Sequence, residues 1–144
     1  MADGFETRAI HAGQEPDPVT GAVVPPISLS TTFAHQEPGV HRGFSYSRGA
    51  NPTRAALETC LASLEGAAHG VAFASGMAAE DAVLRSLRAG DHLIVPADVY
   101  GGTFRIVSTL VAAAGVEWTA VDLTDVEAVT AAFRPTTRLL WVET

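Results

Sequence analysis

The chain contains no lysine: all nine basic side chains among its 144 residues are arginine, set against sixteen acidic ones for a formal net charge of −7. No side-chain amine is therefore present to form a Schiff base with a carbonyl compound, and no P-loop lysine can meet a nucleotide phosphate. The arginines are scattered rather than clustered, and the acidic balance argues against nucleic acid as a partner. Cysteine is nearly absent too. Cys60 alone cannot close an internal disulfide, and the opening MADGFETRAI has neither a basic nor an apolar leader segment, so the expected compartment is the cytoplasm. Apolar runs such as GVAFASGMAA fall well short of the ~18 residues of a membrane span, so no membrane association is expected. The five histidines (His11, His35, His41, His69, His92) share no ligand spacing and have no cysteine partner, which argues against a metal site. Ser75 lacks the G-x-S-x-G frame of a nucleophile elbow because Phe73 precedes it by two, and no G-x-G-x-x-G follows any candidate strand.

What is present falls into two parts. Residues 1–53 hold six of the eight prolines and show no sustained period, which predicts an extended arm. Such an arm cannot bury itself, and Phe33, Phe44 and Tyr46 suit one laid across another surface, such as a second subunit, better than a disordered tail. Residues 54–144 carry regular punctuation. Asn51 and Pro52 open a helix whose Leu57, Cys60, Leu61 and Leu64 recur at helical spacing before Gly66, with Cys60 read as a core residue. GVAFA then reads as a strand, followed by a helix from Ser75 to Gly90. HLIVP at 92–96 predicts a second strand, and Phe104, Val107, Leu110, Val111 and Ala114 lie on a helix before Gly115. EWTAV at 117–121 is a third strand, Thr124 with Glu127 a capping box for the next helix, and RLLWV at 138–142 a fourth strand. Strands alternating with helices of this length require crossover connections, so the fold class is α/β with a parallel, doubly wound sheet. The fourth strand runs into Thr144 without a turn after it, which reads as an incomplete domain.

Ligands of open α/β sheets bind beyond the carboxyl ends of the strands. Ser75-Gly76-Met77 offers a glycine for close approach and the free N–H groups of a helix start, which favour an anion such as phosphate. In ADVYGGT, Tyr100 precedes a glycine pair and can stack on a planar ring, although alone it is as simply a cover for the strand end. In the arm, Tyr46-Ser47-Arg48 supplies an arginine able to grip a phosphate through two parallel N–H bonds and a phenol to add a donor. Glu80 and Asp81 suit the first turns of their helix through its dipole and need no other role.

These residues carry a resemblance. Y-S-R-x-x-N-P-T, then S-G-M, then D-x-Y-G-G-T, then W-V-E-T, with TRAIHAG and TGAVVPPISLSTTF before them, resembles the pyridoxal-phosphate enzymes of cysteine and methionine metabolism, most closely the cystathionine γ-synthase and γ-lyase branch. The resemblance runs from about Thr7 to the last residue. It implies a fold-type I transferase-like architecture, of which this chain is the N-terminal arm and the first half of the large doubly wound domain. It also implies pyridoxal 5'-phosphate as cofactor, sulfur amino acids or an activated homoserine as substrates, and a homo-oligomer, typically a homotetramer, with sites shared between subunits. Tyr46 and Arg48 match residues that reach the cofactor phosphate of a neighbouring subunit. Gly76 and Met77 match backbone donors to the phosphate, and Tyr100 matches the aromatic that stacks on the pyridine ring and takes part in proton transfer. Gly102 stands where methionine γ-lyase relatives tend to carry cysteine.

Two departures stand out. Ala50 replaces the family's usual glycine before Asn-Pro, which strains the turn if that position needs a positive φ. The family continues after V-E-T with P-[ST]-N-P, an aspartate for the pyridine nitrogen and the Schiff-base lysine, none of which this sequence contains. The expectation is the N-terminal part of a transsulfuration enzyme, inactive alone; the alternative is a non-catalytic module that binds a phosphate-bearing ligand or docks onto a full-length homologue. Borohydride reduction after adding pyridoxal phosphate should leave no label on any internal side chain of the purified chain, read by peptide mass mapping. A labelled internal residue would contradict this.

Overall fold

Residues 92–96, His-Leu-Ile-Val-Pro, are all buried, and the sheet is built around them. In the structure, a computed structural model that describes residues 4–144, the chain divides into two compact units, one ending at Ala72 and the other running from Phe73 to Thr144.

In the first unit, helix α1 (Phe5–His11) packs on helix α2 (Pro52–Glu65), with the Arg8 guanidinium donating to the Ser63 carbonyl. The spacing did not announce α1, which lies within the stretch expected to be extended. A short antiparallel ribbon, β1 (His35–Glu37) with β2 (Val40–His41), lies there too, beside a Phe33–Phe44 ring pair with centroids 5.6 Å apart. The rest of the stretch buries little: Val19, Ile27 and Leu29 are all strongly exposed. Helix α2 starts and stops as its sequence dictates. The Asn51 side chain accepts from the Thr53 N–H, Pro52 occupies the first turn, and Gly66 closes the helix at a φ of 65°, where a side chain would be strained. Its expected apolar face is only partly used. Cys60 is half-buried, its thiol 3.8–3.9 Å from the carbonyls of Ala9 and Arg8, while Leu57 and Leu61 remain 50% and 47% exposed because only α1 and neighbouring loops cover the helix.

In the second unit, β3 (His92–Pro96) lies between β4 (Glu117–Val121) and β5 (Thr137–Leu140), parallel to both, in the order β4-β3-β5. The pairing with β5 slips between His92 and Leu93, leaving Arg138 outside the register. The α/β class with parallel pairing stands, but the sheet has three strands. GVAFA forms no ladder, and the Ala72 N–H is taken instead by the Glu58 carboxylate at 2.9 Å. Helix α3 (Gly76–Leu84) ends six residues before Gly90, because the Ser86 and Leu87 amides bond three residues back and tighten the chain into turns. The next helix begins at α4 (Gly101–Ile106) and widens into a π-helical stretch, Val107–Val111, where the hydroxyls of Ser108 and Thr109 donate to the Arg105 carbonyl. Leu84, Val107, Val111 and Val116 pack on Leu93 and Val95 as one apolar cluster. Helix α5 (Val126–Ala132) is capped by Asp125, whose side chain accepts from the Ala128 N–H. The expected Thr124 box does not form, since Asp122 engages both the hydroxyl and the N–H of Thr124.

His92 faces away from that cluster and is fully buried, its ring nitrogens 2.8 Å from the Thr137 hydroxyl and 2.9 Å from that of Thr119. One imidazole thus ties the three strands together at the start of β3. Arg134 bonds both hydroxyls, through its N–H to Thr137 and its guanidinium to Thr119, and pairs with Glu117. Burial, then the Arg134 charge, pull the His92 pKa below its ordinary value, against a smaller opposing pull from Glu117. The unfolded chain therefore takes up this proton first as pH falls, and the contribution of neutral His92 is lost as pH drops below ~6.5. Urea midpoints should fall between about pH 7.5 and about pH 5.5, and a His92→Leu variant should show a flatter dependence over that range. An identical slope in the variant would contradict the assignment.

Candidate functional site

The carboxyl ends of β3 and β5 and the start of α3 each bring polar groups to the rim of the second unit. Ser75 adopts an extended backbone and its hydroxyl accepts from the Ala78 N–H, which starts α3 and satisfies one of the four free amides of a helix start. The amides of Gly76 and Met77 have no hydrogen-bond partner among the described residues, and a Cβ placed on Gly76 would meet nothing within 4 Å. Two unpaired donors therefore stand at the positive end of a helix.

Beyond Pro96 the chain turns through Ala97–Val99 into Tyr100, which begins α4 without a side-chain cap. Tyr100 is 62% exposed. A Cβ on Gly102 would lie 2.5 Å from Tyr100 Cε1 and 2.6 Å from Met77 Sδ, so the tyrosine ring and the α3 start approach each other across the space that this glycine leaves open. Under the loop sits a carboxylate. Glu143 Oε2 accepts from the Tyr100 N–H at 2.8 Å, and Oε1 accepts from Trp141 Nε1 at 2.7 Å and lies 2.9 Å from the Thr103 hydroxyl. The Tyr100 amide foremost, then the Trp141 indole, hold the Glu143 carboxyl below the usual carboxylate range against a partial burial that raises it. Thr103 is fully buried and also lies 2.8 Å from Glu80 Oε2. Its single hydroxyl hydrogen serves one of these two carboxylates at a time.

In the first unit, Tyr46 and Arg48 are brought together on one turn. The Arg48 guanidinium carbon lies 5.1 Å from the centroid of the Tyr46 ring, and both residues are exposed. Antiparallel bonds Phe33 N–H to Ser45 O and Ser47 N–H to Thr31 O hold the strand leading into the turn. The Ser47 hydroxyl donates to Ser30 O, and Asn51 Nδ2 reaches both Ser28 O and Ser47 Oγ. The strain anticipated at Ala50 is absent, because no described residue other than glycine has a positive φ. Of the expected site residues, the second unit thus assembles Gly76, Met77 and Tyr100, and the first unit pairs Tyr46 with Arg48.

Sequence reasoning gave Glu80 only a helix-dipole role and passed over Thr103, Trp141 and Glu143. Thr103, Trp141 and Glu143 stood inside D-x-Y-G-G-T and W-V-E-T, but a carboxylate three residues past a strand carries no signal of which loop amide it will meet.

An α/β unit with a helix start and an exposed aromatic at one rim offers amide donors suited to an anion and a ring face suited to a planar group. The sequence model of the family described as Cys/Met metabolism PLP-dependent enzyme matches residues 6–144, and the chain belongs to that family. It is 52% identical over 144 residues to a probable cystathionine γ-synthase of Herpetosiphon aurantiacus, covering all of this chain and 45% of that protein. It is 49% identical over 141 residues to the human cystathionine γ-lyase, covering 97% of this chain and 35% of that one. The crystal structure of metB from Corynebacterium glutamicum superimposes with a TM-score of 0.96 at 50% identity, over 99% of this chain and 38% of that chain. The chain thus spans less than half the length of these relatives.

The family's cofactor is pyridoxal 5'-phosphate. The open amides of Gly76 and Met77 fit its phosphate, and the exposed Tyr100 ring fits its pyridine face. A covalent anchor is not among these residues, since the sequence has no lysine.

Gly102→Ala tests the approach of Tyr100 to Met77. Both colliding groups are ends of side chains that can swing away, so stability should change by less than about 1 kcal/mol. The ring and the thioether should nonetheless separate, which cross-relaxation between the Met77 methyl and the Tyr100 ring protons will show. Retention of that signal in the variant would contradict the geometry.

Proposed function

We propose that this chain is the N-terminal part of a pyridoxal-phosphate-dependent transsulfuration enzyme of the cystathionine γ-synthase or γ-lyase type, and that alone it binds the cofactor without turning over substrate. The observation that carries this reading is the open amide pair of Gly76 and Met77 beside Tyr100, spaced by Gly102. The substrate class is a sulfur amino acid or an activated homoserine ester, and the chemistry is γ-replacement or γ-elimination. The working assembly is a cytoplasmic homo-oligomer, a homotetramer, in which Tyr46 and Arg48 serve the cofactor of a neighbouring subunit.

Pyridoxal phosphate supplies an electron sink for the charge left when a substrate loses its α-proton. This chain's residues have simpler tasks. Gly76 and Met77 donate to phosphate oxygens at the helix start, where the dipole favours negative charge. Toward a neighbouring subunit's cofactor, Arg48 would add a paired N–H grip and Tyr46 its hydroxyl. Tyr100 presents its ring face to the pyridine and its phenol to a moving proton. With no lysine, no base of that kind stands ready for the α-proton.

Equilibrium dialysis of the purified chain against pyridoxal phosphate should show saturable binding that inorganic phosphate displaces, with no ketone product released from L-cystathionine. Absence of saturable binding, or turnover by the chain alone, would overturn the proposal. The half-exposed Leu57 and Leu61 favour a second reading, a module that docks onto a full-length homologue. In that case co-expression with such a homologue should yield a mixed complex of altered activity.

A further inference from the structure

The W-V-E-T segment carries a carboxylate, Glu143, with an unusual set of neighbours. Glu143 gathers the Tyr100 backbone amide, the Trp141 indole and the Thr103 hydroxyl, groups drawn from the loop after β3, the end of β5 and the first turn of α4. A carboxylate has about four lone-pair sites for such donors, and hydrogen bonds to a charged acceptor are roughly twice as strong as neutral ones. Tyr100 needs this support. It opens α4 with no side-chain cap of its own, and its 62% exposed ring has little packing beyond the approach to Met77 across Gly102. The Tyr100 backbone that carries the ring is held at both of its polar groups: its carbonyl accepts from the Phe104 N–H within α4, and its N–H donates to Glu143, a tie from outside the helix. Thr103 extends the same device to α3. Its buried hydroxyl stands between Glu143 and Glu80, and Glu80 lies on the helix whose first amides are open. The carboxylate beneath the loop and the helix that presents the anion-binding amides are thus linked through one hydroxyl.

We propose that Glu143 is a positioning residue for Tyr100: it holds the tyrosine backbone so that the ring lies over a planar heteroaromatic whose phosphate rests on Gly76 and Met77, with Thr103 and Glu80 setting the spacing to α3. The proposal rests on the reading of this rim as a pyridoxal phosphate site. Glu143 touches neither ring nor phosphate in this arrangement and acts only through Tyr100. A carboxyl held below the usual carboxylate range fits this role, since it stays charged and keeps accepting from the Tyr100 amide and the Trp141 indole.

Glu143→Gln preserves the side chain's shape but turns one acceptor into an amide donor facing the Tyr100 N–H or the indole. Two readouts on the full 144-residue chain separate the parts of the proposal. Without ligand, hydrogen exchange at the Tyr100 amide should speed up roughly tenfold in the variant while the Leu93 and Val95 amides keep their protection. With ligand, affinity for pyridoxal phosphate should fall roughly tenfold while affinity for inorganic phosphate stays within about twofold, and Glu143→Gln should cost nothing further in a Tyr100→Ala background. Glu143→Asp, which keeps the charge on a shorter stem, should recover part of the exchange protection. Unchanged exchange at Tyr100 overturns the proposal whatever binds. Equal losses for both ligands overturn it in favour of a merely structural carboxylate. A wild-type chain that protects Tyr100 as expected yet binds no pyridoxal phosphate overturns the cofactor reading and the stacking role, while the Glu143 clamp on the Tyr100 backbone stands.

Discussion

Burial of β3 on both edges and both faces is the constraint from which the second unit follows. Leu93, Ile94 and Val95 are almost wholly removed from solvent, and each contributes about 1.5–3 kcal/mol relative to exposure. A strand paired in parallel on each side needs crossover helices, and α4 and α5 are those crossovers. Alternation along β3 then decides which residues face α3 and α4 and which face the other way. Leu93 and Val95 join the apolar cluster, and His92 and Ile94 take the opposite face. Because Pro96 ends the strand, the chain must turn there, and the turn delivers Tyr100 to the rim.

The two ends of the sheet are finished by different chemistry. At the amino end of β3, an imidazole sealed from water spans two threonine hydroxyls and joins neighbouring strands. Charging it there is unfavourable, so that end suits structure rather than proton transfer. At the carboxyl end, a carboxylate kept charged by three donors anchors a loop and a helix start whose own amides are left free. The rim thus combines a tightly bonded carboxylate with the unpaired Gly76 and Met77 amides at the start of α3. The family's cofactor is pyridoxal phosphate, and the proposal that this rim receives it rests on the unpaired amides of Gly76 and Met77 beside the exposed Tyr100 ring.

How much of this was legible in the sequence depends on whether the cause was local. Asn51-Pro52 and Gly66 mark α2 because capping and a left-handed stop are decided within a few residues. HLIVP and EWTAV read as strands because continuous apolar runs of that length suit a buried parallel sheet. GVAFA carries the same pattern and is not paired, because its amide partner is a side chain from α2, which no period reveals. The shift of the cap from Thr124 to Asp125 turns on whether Asp122 engages Thr124 first, a competition between adjacent residues of similar propensity. The rim positions of Ser75, Gly76, Met77 and Tyr100 were legible because a capping serine at a helix start and an aromatic beside a glycine pair are local signals. Glu143 and Thr103 were not, because a carboxylate and a hydroxyl gain their roles only from whichever amide the fold brings to them.

The proposed function requires one rim of the sheet to present the Gly76 and Met77 amides and the Tyr100 ring to a single phosphate-bearing heteroaromatic. Titration of isotope-labelled chain with pyridoxal phosphate, followed by amide and aromatic chemical shifts, tests it most directly. The account predicts that the Gly76 and Met77 amides and the Tyr100 ring shift together along one saturation curve, while the His92 region at the opposite end of β3 stays still. Shifts centred on that opposite end, or a saturating response that leaves Gly76, Met77 and Tyr100 unmoved, would contradict it.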